Sequence, residues 1–204
     1  MNFRRWTVSL LAAAGLAITS AAGAHAQQPG DAPMSSEAWT EFSCIYSELI
    51  LLEDDAYFAV VDSYMLELTE GDLYEEAITA IMPAVESCAD DYGWLEEHQE
   101  IAMTMGIAGT VADAIEGYLL EEGFSEEELD DIISLVDTIS DDEVFAFIGE
   151  DWRRDEGFRE GIATQLADKG VSGDEELVEH CMVLLETYLI GMFQAERWMD
   201  LTES

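Results

Sequence analysis

From Ser36 onward the apolar positions recur every third or fourth residue, and no stretch alternates apolar and polar with period two. Ala38, Phe42, Ile45, Leu49 and Leu52 form one such stripe and predict a first helix. Tyr74, Ala77, Ile78, Ile81, Val85 and Cys88 form another, with Pro83 expected to kink it. The segment 101–119 carries two stripes at once. Ile101, Met105, Ala108, Ala112, Ile115 and Leu119 make the first, and Ile107, Val111, Ala114 and Tyr118 make the second. A helix apolar on two faces belongs in the middle of a bundle. Gly106, Ala108, Gly109 and Ala112 would let a neighbour come close to it. A last helix, from about Asp174 to Met199, is as apolar through Leu177, Cys181, Leu184, Leu185, Tyr188, Leu189 and Met192.

Helix starts agree with the stripes. Asp72 with Glu75, Ser125 with Glu128, Ser140 with Glu143 and Ser172 with Glu175 have the spacing of a capping box. In that motif a short side chain accepts the third amide proton and a carboxylate reaches back. Lys169-Gly170 reads as a helix stop. The expected fold is all-α, a single bundle of about seven to eight helices. Two short patterns recur: Asp54-Asp55 before Phe58-Ala59 as Asp141-Asp142 before Phe145-Ala146, and Leu95, Glu97, His98 as Leu177, Glu179, His180. They would divide the bundle into two pseudo-repeated halves. Acid-rich amphipathic helices also resemble one another by chance, and that reading is preferred here.

The N-terminal segment carries an address rather than structure. Arg4 and Arg5 form a positive start, Val8 to Ala22 is apolar and small, and Ala24-His25-Ala26 matches a cleavage site. The residues after the arginine pair do not fit twin-arginine export. Residues 1–26 are therefore expected to be a signal peptide, 27–35 a flexible leader and 36–204 an acidic helical domain. The expected location is periplasmic or secreted. No second apolar run of about twenty residues follows, so an integral membrane segment after cleavage is not expected.

Charge then narrows the partners. The chain carries 46 Asp and Glu against 7 Lys and Arg, a formal net charge of −39. Such a field repels nucleic-acid phosphate, so nucleic-acid binding is excluded. It also destabilises a compact state unless salt screens it. The preferred reading is adaptation to saline surroundings; a cation buffer or a polyanion mimic is the sharper alternative.

The motifs that carry chemistry are missing. Neither His98 nor His180 has a Glu three residues before it, as a di-iron bundle requires. No His-Glu-x-x-His, EF-hand, zinc-type cysteine pair, nucleophile elbow or phosphate loop occurs. Asp90-Asp91, Glu126-Glu127-Glu128 and Asp141-Asp142-Glu143 read as solvated helix starts, compatible with loose association of divalent cations. Met103 and Met105 read as core, because they lie about 200° apart on a helix. His180 and Cys181 are neighbours whose side chains diverge by about 100° on a helix, so they cannot act together as base and nucleophile. Glu150 with Arg154 and Asp155 with Arg159 have the spacing of local ion pairs beside Trp152, which itself reads as core. No catalytic, cofactor-binding or metal-ligating residue is assigned, and the chain is expected to be non-enzymatic.

Three cysteines in an exported chain imply one disulfide and one thiol. Cys181 lies at the centre of the last stripe, where a thiol packs as a small hydrophobe. Cys44 lies off the first stripe, and Cys88 closes the helix that holds Pro83. Cys44–Cys88 is the expected pair, joining the first helix to the third; Cys88–Cys181 is the competing one. The segment with Trp39, Cys44 and Cys88 resembles the small helical acid-stress chaperones of the periplasm, which place one disulfide between two helices. That resemblance covers under a third of the chain and assigns no residue. The leading functional expectation is binding of a partner, an unknown protein or small ligand, through a surface or groove. The resemblance implies an alternative, a chaperone whose carboxylates titrate in acid and expose apolar faces. An enzyme without a recognisable motif is the third.

Overall fold

A computed structural model describes residues 34–140, 144, 151–171 and 174–202. Eight α-helices run through them: α1 (Ser36–Phe42), α2 (Cys44–Leu49), α3 (Asp54–Met65), α4 (Asp72–Tyr92), α5 (Glu96–Glu121), α6 (Glu126–Ile133), α7 (Glu156–Asp168) and α8 (Glu175–Thr202). Two 3-10 turns, Ser134–Thr138 and Asp151–Arg154, complete the fold, and no strand occurs among the described residues. The fold is an all-α bundle.

The two longest helices, α5 and α8, form an antiparallel spine. The start of α5 meets the end of α8, where Trp94 and His98 pack edge-on against Trp198 at ring separations of 5.5 and 5.3 Å. The end of α5 meets the start of α8, where Tyr118 stacks on His180 at 4.5 Å. Two apolar clusters share this spine. One gathers Phe42, Ile45, Leu49, Cys88, Ile101 and Trp198 from the N-terminal helices and the end of α8. The other gathers Ile115, Leu119, Ile132, Trp152, Leu166 and Cys181. Both stripes of α5 are used, because α5 packs against α2, α3, α4, α6 and α8.

Local chemistry explains the boundaries, including two that depart from expectation. The first stripe does not lie on one helix. Ser43 separates α1 from α2 with φ −88° and ψ 7°, and its Oγ donates to the Trp39 carbonyl at 2.8 Å. Such back-bonding bends a helix. α2 then ends at Leu49, leaving Leu51 exposed. Asp72 does not cap α4: Gly71 is the cap residue at φ +102°, with no side-chain hydrogen bond, so Asp72 already lies in the first turn. α4 continues unbroken through Pro83, whose ring sits on the exposed side. Elsewhere the signals hold. Ser125 and Glu128 form a reciprocal capping box at the start of α6. α7 stops at Lys169, with Gly170 at φ +97° and the Val171 amide donating back to Leu166. The boxes expected at Ser140 and Ser172 each involve a residue outside those described, as does the repeat at Asp141-Asp142.

The close approach expected along α5 is present. A Cβ at Gly106 would lie 2.6 Å from Ile45 Cγ2, and one at Gly109 would lie 2.9 Å from the Tyr46 ring. α2 therefore lies directly on the glycine face of α5.

Candidate functional site

Cys44 on α2 and Cys88 on α4 are joined by a disulfide, with their Cα atoms 6.0 Å apart. Both sulfurs belong to a packed seam between α2 and α4, and the bond is structural. Cys181 is free and fully buried. Burial pushes its thiol up to about 12, which makes it inert near neutrality. His98 and Cys181 do not meet. His98 packs against Trp198, seventeen residues along α8 from Cys181, about 25 Å at helical rise. Met103 and Met105 both pack in the N-terminal core cluster.

Arg159 departs from local pairing. Asp155 does not hold Arg159; its carboxylate caps α7 by accepting the Phe158 amide proton at 3.0 Å. Arg159 instead reaches α8, 2.6 Å from Glu179. The partner expected for Arg154, Glu150, lies outside the described residues. Arg153 forms the most buried ion pair among the described residues. Its guanidinium lies 3.1 Å from Glu186, a side chain only 2 % exposed, and 2.9 Å from Glu67. It also donates to the Met65 carbonyl and lies over the Trp152 and Tyr64 rings. Burial raises Glu186 above the ordinary carboxylate value, opposed by hydrogen bonds from Trp152 and the charge of Arg153. Glu67 ends α3 with φ +51°, a conformation costly for a side-chain-bearing residue. Leu68 N–H closes the helix end onto Ser63. Trp152 is fully buried, as core.

Two acidic features remain. The first is a groove of about 540 Å³ between α3 and α4. Ala56, Ala59 and Ala80 line it together with Asp55, Asp72, Glu75 and Glu76. Among the described residues no Lys or Arg forms an ion pair with these four carboxylates. Sequence reading missed this groove because its wall residues come from two helices whose relative placement only packing sets.

The second feature is half-buried. Asp113 and Glu116 lie one turn apart on α5, and each is held by a tyrosine from another helix. Tyr57 on α3 donates to Asp113 at 3.0 Å, and Tyr188 on α8 donates to Glu116 at 2.8 Å. Burial is the main cause that pushes Glu116 up to about 7. The signal for it was present: these are the only charged residues between Glu100 and Glu121.

The acid runs noted in the sequence are exposed helix ends. Asp90 and Asp91 lie at the end of α4, and Glu126 to Glu128 at the start of α6. The Ser125 amide and hydroxyl hold Glu128 below the usual carboxylate range. Asp141 to Glu143 lie outside the described residues. Among the described residues no group of three or more His, Cys, Asp or Glu is arranged to hold a metal ion. No described helix is long and apolar enough to cross a membrane. No family model matches the chain, and no curated protein or solved structure is significantly similar to it.

Proposed function

We propose that the protein is an exported, non-enzymatic binding protein whose partner presents alkylammonium groups on a methylene chain. The α3–α4 groove carries this reading. Its alanines offer a small apolar floor for methylenes, and its four carboxylates offer counter-charges that no described cation of the chain uses. A surface of net charge −39 adds long-range attraction for such a partner and speeds its approach. Export is part of the proposal, because a disulfide persists in an oxidising compartment. Spermidine and a short oligolysine peptide share the recognised chemistry, and calorimetric titration with each separates a small-molecule source from a peptide one.

The general field and the groove are told apart by two variants of equal charge change. Asp72→Asn with Glu76→Gln should weaken binding of the preferred probe at least about tenfold, because it removes two of the four counter-charges that face the ligand at the groove. Glu126→Gln with Glu127→Gln, on exposed helix α6, should weaken it far less. Equal losses in both variants would overturn the groove reading. The acid-stress alternative requires packing to loosen in acid. Glu116 works in the opposite direction, since a carboxyl with a raised pKa makes the folded chain take up a proton as pH falls.

A further inference from the structure

Helix α5 packs against α2, α3, α6 and α8, and its two acids in the stretch 101–120 face side chains from all four. The pattern is paired. Tyr57, from α3, spans the Thr110 carbonyl at 3.2 Å and Asp113 at 3.0 Å. Tyr188, from α8, closes on Glu116 at 2.8 Å. Tyr46, from α2, lies against Gly109 one turn earlier and feels both carboxylates. Thr110 itself donates back to Gly106, so it offers Asp113 no proton. Each carboxylate thus has one neutral phenol from a helix that must dock on α5, and among the described residues neither forms an ion pair with Lys or Arg. Tyrosines from three helices, α2, α3 and α8, converge on this pair of acids, and no described Lys or Arg neutralises it.

We propose that Asp113 and Glu116, with Tyr57 and Tyr188, form a proton-operated latch that seats α3 and α8 on α5: the seat is closed while the pair holds a proton and loosens when the proton is lost. Two half-buried carboxylates one turn apart cannot both ionise without cost. The groups facing Glu116 are Asp113 on its own helix, Asp130 from α6, Tyr188 from α8 and Tyr46 from α2. Burial, then the charges of Asp113 and Asp130, raise Glu116, while the Tyr188 hydrogen bond lowers it; the balance is about 7. Asp113 is raised by burial and lowered by its bond from Tyr57. Burial raises Tyr188, so its phenol remains a neutral donor across the range in which Glu116 changes state, and burial raises Tyr46 likewise.

The sign follows from linkage. Glu116 has an ordinary value of 4.5 in the unfolded chain and about 7 in the folded one. Between those values the folded state binds more protons, so stability falls as pH rises through about 7 and is recovered on acidification.

The experiment is carboxyl-carbon NMR titration of the full chain, together with hydrogen exchange of α8 amides at pH 8 and pH 6. Glu116 is expected to titrate with a midpoint near 7. The Glu116→Gln variant keeps the hydrogen bond but not the charge. At pH 8 its α8 amides around Tyr188 should exchange about tenfold or more slower than wild type, and at pH 6 the difference should shrink. Tyr188→Phe removes the donor that favours the anion, so the Glu116 midpoint should move up. A Glu116 midpoint below 5, or Glu116→Gln and wild-type exchange rates differing equally at both pH values, would overturn the latch.

Discussion

Gly106 and Gly117 lie on the same helix, and the same substitution should act on them in opposite directions. Replacing glycine by alanine inside a helix gains about 1 kcal/mol of helix propensity at either position. At Gly117 the new methyl meets nothing within 4 Å, so the gain should appear nearly whole. At Gly106 it would lie 2.6 Å from Ile45 Cγ2, 3.0 Å from Ile45 Cβ and 3.1 Å from the Tyr46 backbone nitrogen. Two of those atoms cannot swing away. α2 cannot retreat either, because the neighbouring Cys44 is bonded to α4. Overpacking of this kind costs about 1–3 kcal/mol, and contacts far inside the carbon–carbon optimum of about 3.5–4 Å belong in the upper half of that range. The net effect of Gly106→Ala is a loss of about 1–2 kcal/mol.

Urea and thermal unfolding at fixed salt measure both variants. One kcal/mol moves the midpoint by about 2–4 °C for a domain of this size, so the two should fall clearly on either side of wild type. Ile45→Ala provides the internal check. It removes Cγ2, and in its background Gly106→Ala should cost about 1 kcal/mol less than in wild type. If Gly106→Ala and Gly117→Ala stabilise alike, α2 does not lie on the glycine face and the close-approach argument fails.

Arg153→Ala strips Glu186 of its buried counter-charge and should cost about 3–5 kcal/mol, read by urea unfolding at pH 8; because burial already raises Glu186, part of the loss should return at pH 5. A loss under about 1 kcal/mol would show that the pair is not desolvated. Cys44→Ser with Cys88→Ser opens a loop spanning 44 residues and should cost about 4 kcal/mol in the chain-entropy account. Non-reducing peptide mapping checks the pairing itself, and a cross-linked peptide containing Cys181 would refute it. With net charge −39, the thermal midpoint should rise between low salt and about 1 M sodium chloride; a flat response would remove self-repulsion from the energetics.

Helical period is a local property, and it was legible before any packing was known. The double stripe on 101–119 placed that helix at the centre, where α5 lies. Ser125-x-x-Glu128 capped α6 and Lys169-Gly170 stopped α7, because caps need only neighbouring backbone groups. The apolar centring of Cys181 left Cys44 and Cys88 to pair, as they do. Ser43 broke the first stripe because its hydroxyl competes locally for the Trp39 carbonyl, a choice that periodicity does not record.

Tertiary structure decided the rest. Arg159 sits four residues from Asp155, yet it pairs with Glu179, because the acid already has an amide to accept from and α8 brings a second carboxylate within reach. Arg153 finds Glu186 thirty-three residues away because Trp152 is buried beside α8 and carries it inward. The four groove carboxylates become one wall only when α3 lies along α4. Asp113 and Glu116 are two acids in an otherwise uncharged stretch of helix, but their partners Tyr57 and Tyr188 are 56 and 72 residues distant. Periodicity tells which face of a helix is buried; which side chains meet there depends on the faces of the other helices, and those are fixed only when all of them pack at once.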